Sequence, residues 1–100
     1  MTRLSPQART EHLLDVALKL ASADGWHSLT HAKIASAAGV TNGTVVARLG
    51  TMEAIRRSVM RAAVKHRCVP VVAEGLVLGN PHARRADDLL REAAAAWVRR

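Results

Sequence analysis

Five histidines, His12, His27, His31, His66 and His82, and one cysteine, Cys68, are the side chains of this sequence best suited to nucleophilic, proton-transfer or metal chemistry. Their spacing supports none of these. No histidine stands beside Cys68 or an acid so as to pair a nucleophile with a base, and no His/Cys group has the spacing of a metal site. A lone cysteine closes no internal disulfide. An enzyme, a cofactor and a bound metal are therefore not expected, and His31 reads as a surface residue or a neighbour of an anion.

What the chain does offer is positive charge. Fifteen Lys and Arg stand against eight Asp and Glu, a formal +7, with an isoelectric point near 11.3, which points to a polyanionic partner. The charge is concentrated. Between residues 33 and 67 lie Lys33, Arg48, Arg56, Arg57, Arg61, Lys65 and Arg67 with the single acid Glu53, nearly the whole excess. No apolar run approaches the roughly 20 residues that span a bilayer, and the N-terminus lacks a signal-peptide core, so a cytoplasmic protein without a membrane partner is expected.

The elements that must position these cations read as helices. One hundred residues, with neither Phe nor Tyr and only two Trp, allow one domain with a thin core of Leu, Val, Ile and Ala. Residues 1–4 form an arm carrying Arg3. Ser5-Pro6 caps and starts a first helix with Leu13, Val16, Ala17, Leu20 and Ala21 inward, stopping at Gly25. Trp26 and Leu29 fold back as core plugs. Thr30 caps a short second helix ending at Gly39, with Ile34, Ala35 and Ala38 inward. Thr41 caps a third, with Val45 and Leu49 buried, and Thr51 caps a fourth from Met52 to about Arg67, burying Ile55, Val59, Ala62 and Ala63. Pro70 opens a short helix to about Leu78, and a last helix runs from Pro81 or Ala86 to the C-terminus.

The fold class expected is all-α: a three-helix helix-turn-helix region over residues 5–51, extended by the fourth helix and two C-terminal helices over 52–100. Ile34-Ala35-Ser36-Ala37-Ala38-Gly39-Val40-Thr41 carries the motif. Ala35 is small enough for the next helix to cross over it, Gly39 supplies the turn, and Val40 and Val45 lock the two helices together. An ordinary helical hairpin has the same local pattern.

From about Glu11 to Val59 the sequence resembles the DNA-binding domain of TetR-type repressors. The matching blocks are Leu14-Asp15-Val16-Ala17-Leu18-Lys19-Leu20, Asp24-Gly25-Trp26-His27-Ser28-Leu29-Thr30, Ile34-Ala35 with Ala37-Ala38-Gly39-Val40-Thr41, then Asn42-Gly43-Thr44-Val45 and Gly50-Thr51-Met52-Glu53-Ala54-Ile55. The resemblance implies a regulator that binds double-stranded DNA. Three features depart from it. Val46, Ala47, Arg48 and Leu49 replace the usual aromatic and histidine residues, Met52 stands where a lysine is usual, and residues 68–100 are too few for a ligand cavity, so no small-molecule effector is expected.

At about 100° per residue the face of the third helix opposite Val45 and Leu49 carries Gly43, Thr44 and Ala47, flanked by Val46 and Arg48. In the major groove Gly43 and Ala47 would let the backbone approach the bases. Thr44 and Arg48 would offer hydrogen bonds, with Arg48 bidentate to guanine, and Val46 would meet a thymine methyl. Asn42 would pair with adenine or hold a phosphate, while Thr30, Thr41 and Lys33 would clamp phosphates with Arg56 and Arg57 nearby. Two plainer alternatives stand beside these: Val46 completing the core, and the threonines only capping helices.

The function expected is a dimeric repressor on a palindromic operator. One recognition helix reads too few base pairs to select a site alone. Leu89, Ala93 and Trp97, with Leu90 beside them and Leu76 on the preceding helix, are the expected dimerisation residues. Packing of these helices on their own chain is the alternative. A competing function is an interaction module or anti-regulator that keeps the fold without binding DNA.

Overall fold

The computed structural model describes residues 5–100, which are helical with no strand among them; the arm expected at residues 1–4 lies outside the described residues. Helix α1 (Pro6–Asp24) starts where Ser5 accepts a side-chain hydrogen bond from the Ala8 amide and Pro6 takes the first position, whose N–H would have no intrahelical partner anyway. A single 3₁₀ turn, Trp26–Ser28, follows. Helices α2 (His31–Ala38), α3 (Asn42–Leu49) and α4 (Met52–Lys65) then share one device. Thr30, Thr41 and Thr51 each accept from the amide three residues on, at Lys33, Thr44 and Ala54. Three short helices can follow one another this closely because each begins with its own acceptor.

The second half differs from the expected two helices. Helix α4 stops at Lys65 instead of Arg67, because Arg67 turns to φ +56° and the Cys68 amide bonds back to the Ala63 carbonyl at 2.8 Å. Helix α5 spans Val69–Val77. The expected last helix is split into a single turn, α6 (Pro81–Arg84), capped by Asn80, and α7 (Asp88–Arg99), capped by Asp87. Asp87 decides the break. Its carboxylate accepts from the Leu90 amide and binds both guanidinium nitrogens of Arg67, at 2.6 and 3.2 Å, so the chain must turn there to satisfy it.

The Arg67 hydrogen bonds and the Leu90 amide hold the Asp87 carboxyl down at about 2, below its ordinary 3.8. A depressed carboxyl contributes stability above the unfolded value and loses it as pH falls through the folded one. The melting temperature of the parent should therefore drop more steeply between pH 4 and pH 2 than that of Asp87→Asn, in which the cap remains and the charge is gone. Parallel curves for the two proteins would refute the assignment.

One continuous apolar cluster joins the halves, from Ala17 and Ile34 through Ile55 and Val59 to Val71, Val72, Leu90 and Ala94. Because α1 is packed by α2, α3 and α4, its buried strip centres on Ala17 and takes in Leu18, leaving Val16 and Leu20 at its margins. Met60 is likewise fully buried where Ala62 was expected. The reason is the small turn α6. A Cβ placed on Gly75 would lie 2.6 Å from Met60 Cε and 2.8 Å from the Ala83 Cβ, so α4, α5 and α6 meet at a point where only glycine fits.

Leu90, expected on a dimer surface, is 1% exposed and belongs to this core. Helix α7 packs on α5 through Leu90 and Ala94, turning Leu89 and Ala93 outward and leaving Leu76 half-buried against the cluster.

Two further ties fix the first half on the second. Glu74 of α5 accepts from the amides of Trp26 and His27, both at 2.7 Å, and from His27 Nδ1 at 2.6 Å. Burial alone would raise its carboxyl, but these bonds from His27 and Trp26 outweigh burial and hold it below the ordinary value. Trp26 Nε1 donates to the Arg56 carbonyl at 2.9 Å. Hydrogen bonds to a charged group contribute about 1.5–3 kcal/mol, so the 3₁₀ turn is pinned from α4 and α5 at once.

Candidate nucleic-acid interface

Helix α3 crosses α2 at a turn built by Gly39, whose φ of +71° is the left-handed conformation that favours glycine. The amides of Gly39 and Val40 bond back to Ser36 and Ala35. Val45 is fully buried between the helices and Leu49 is half-buried. His31 closes the other end, its Nε2 donating to the Gly50 carbonyl at 2.9 Å. The imidazole therefore fixes the start of α2 to the turn between α3 and α4, a role that its place in the sequence did not disclose.

With Val45 inside, α3 presents Asn42, Gly43, Val46 and Ala47 to solvent, and no acidic residue lies on the helix. Val46 is 49% exposed, which removes the alternative that it completes the core. Thr44 is half-buried. Its hydroxyl meets that of Thr41 at 3.0 Å, and Thr41 also takes the Thr44 amide, so the two threonines form a cap pair at the exposed start of the helix. Thr30 caps α2 through the Lys33 amide, and Lys33 Nζ donates to the Ser28 carbonyl at 3.1 Å. Capping is thus a full account of both threonines as the fold stands, and Lys33 is held along the entrance to α2.

Val40 corrects an expectation. It is 38% exposed and does not lock α2 to α3. It lines instead a cleft of about 510 Å³ between α1 and α3, with Arg9, His12 and Leu13 on one wall and Thr44, Ala47 and Arg48 on the other. Neither Arg9 nor His12 was expected beside α3 from the sequence. The available signal was their position at the edge of the buried stripe of α1, one helical turn before and one residue before Leu13.

The two α4 arginines have different settings. Arg56 is half-buried with its carbonyl taken by Trp26. Arg57 belongs to a cationic group at the contact of α4 with α6. Partial burial and the charges of Arg61, Arg85 and Arg57 hold the His82 imidazole below its ordinary value. None of the arginines 48, 56, 57, 61 and 85 forms an ion pair among the described residues.

Residues 13–59 match the family model described as bacterial regulatory proteins, tetR family. This stretch is a TetR-family helix-turn-helix DNA-binding domain. Comparison with curated proteins and with solved structures gives no match. The TetR-type domain covers the stretch from the middle of α1 to the middle of α4, so the elements that position α3 are those of the family. A domain of this kind supports a place among families of DNA-binding transcriptional regulators. Among the described residues no His, Cys, Asp and Glu group could hold a metal ion, and no helix is long and apolar enough to cross a membrane.

Proposed function

We propose that the chain is a dimeric transcriptional repressor of the cytoplasm that reads a palindromic operator, one α3 in the major groove of each half-site. The observation that carries this reading is the outer face of α3. Gly43 and Ala47 leave its backbone open to close approach, Val46 offers an exposed methyl surface, and Asn42 and Arg48 stand beside them as hydrogen-bonding groups, with no acid to repel phosphates. Thr30, Thr41, Lys33, Arg56 and Arg57 are the residues we assign to contacts with the DNA backbone. The dimer is supported by the apolar residues that α5 and α7 leave in solvent, Val77, Leu78, Leu89 and Val98, with Trp97 partly covered.

Selection of bound sequences from a random duplex library tests the reading. A two-fold symmetric motif is the expected product, and no enrichment over the input would favour an interaction module instead. With the motif in hand, Arg48→Ala should weaken binding by about 1–3 kcal/mol and relax preference at one base of each half-site. Selection with the variant is the check. An unchanged motif of unchanged sharpness would show that Arg48 reads no base.

A further inference from the structure

The cleft between α1 and α3 is made of matched helical triplets. Arg9, His12 and Leu13 are spaced i, i+3, i+4 on α1, and Thr44, Ala47 and Arg48 have the same spacing on α3, with Val40 beside them. Leu13 is buried at its base, whereas Arg9 and His12 stand exposed on its rim. Neither Arg9 nor Arg48 forms an ion pair among the described residues, and no carboxylate lines the cleft. The nearby acids of α1 are directed elsewhere, Glu11 taking the Gln7 amide and Asp15 pairing with Lys19.

We infer that this cleft seats a backbone phosphate of the DNA half-site, held by Arg9 and His12 of α1, next to the base that Arg48 reads. The inference rests on the reading of α3 as the groove-binding helix and extends it to α1. The chemistry is that of a phosphodiester. A guanidinium and an imidazole N–H on one wall present donors to an anion, while the apolar floor of Leu13, Val40 and Ala47 offers no competing acceptor. The two walls belong to different helices. A phosphate between them would tie α1 to the same stretch of DNA backbone that α3 approaches.

Arg9 and His12 are exposed, so their replacement spares the core, and circular dichroism can confirm that each variant is folded. The probe is the duplex selected by the parent, and the measurement is its affinity as a function of salt. Arg9→Ala is expected to weaken binding about tenfold at 0.1 M salt and to reduce the slope of log affinity against log salt by about 1 per subunit, because one counterion fewer is released. Arg9→Lys should restore the slope, and His12→Ala should lower affinity. The selected motif should keep its consensus in all three. A slope and affinity unchanged in Arg9→Ala, with the parent binding its motif, would overturn the cleft assignment and leave the role of α3 standing. A parent that binds no duplex would overturn both. A changed consensus in Arg9→Ala would show base reading by α1 and refute the phosphate seat.

Discussion

Gly75→Val should cost about 3 kcal/mol of folding stability, a drop in melting temperature of some 12–24 °C for a chain of about this size. The Cβ of any other residue at this position would press on Met60 Cε at 2.6 Å, on Met60 Sδ at 2.8 Å and on the Ala83 Cβ at 2.8 Å. Met60 and Ala83 are both fully buried, so neither has solvent to move into. Within a helix, glycine is disfavoured relative to alanine by about 1 kcal/mol, and Gly75→Ala therefore recovers part of its steric penalty while remaining below the parent. Thermal unfolding of the two variants measures this. Combining Gly75→Ala with Met60→Val should give back a share of the loss, since the two residues meet. An alanine variant more stable than the parent would mean that α6 shifts aside freely, contrary to the packing described.

The largest effect on DNA binding is expected from charges placed on the apolar residues that α5 and α7 leave outside. Val77 is 67% exposed and Leu89 74% exposed, so Val77→Asp combined with Leu89→Asp leaves the core intact while opposing any apolar contact with a second copy. Sedimentation at micromolar concentration should show a dimeric parent and a monomeric variant. Operator affinity should fall by about 100-fold or more, because two linked half-sites gain on the order of 10²–10⁴ over one through effective concentration. A parent that is a monomer and binds a single half-site with full affinity would refute the dimer. So would a folded variant that remains dimeric.

Local rules carried the first half of the chain. Ser5-Pro6, Thr30, Thr41 and Thr51 are caps whose chemistry acts over three residues, and Gly39 is a turn residue, so each could be placed without knowing what packs on what. Val45 inside and Gly43 and Ala47 outside followed from helical period alone, whereas Thr44, expected outside, is half-buried. The second half was less legible because its breaks are made by partners distant in sequence. Nothing local shows that Asp87 is held by Arg67, so the run from Pro81 to Arg99 reads as one helix. Leu89 and Leu90 are adjacent and equally apolar, and only the contact of α7 with α5 decides which of them is inside. The same limit applied at the interface. Arg9 and His12 become part of it through the approach of α1 to α3, and Glu74 joins the 3₁₀ turn across nearly fifty residues of sequence.

Glu74 also bears on how portable such a reading head is. The stretch that matches the family, residues 13–59, contains Trp26 and His27 but not the carboxylate that receives their amides. Cut out as a cassette and spliced to a different effector module, it would carry an open seam: two amides and an imidazole on one side, with nothing to accept them. A chimera keeps the head's geometry only when the incoming module supplies an acidic side chain at the place α5 occupies. In that sense the joint between reader and body is part of the reader, and the boundary for swapping parts lies beyond Glu74 instead of at the end of α4.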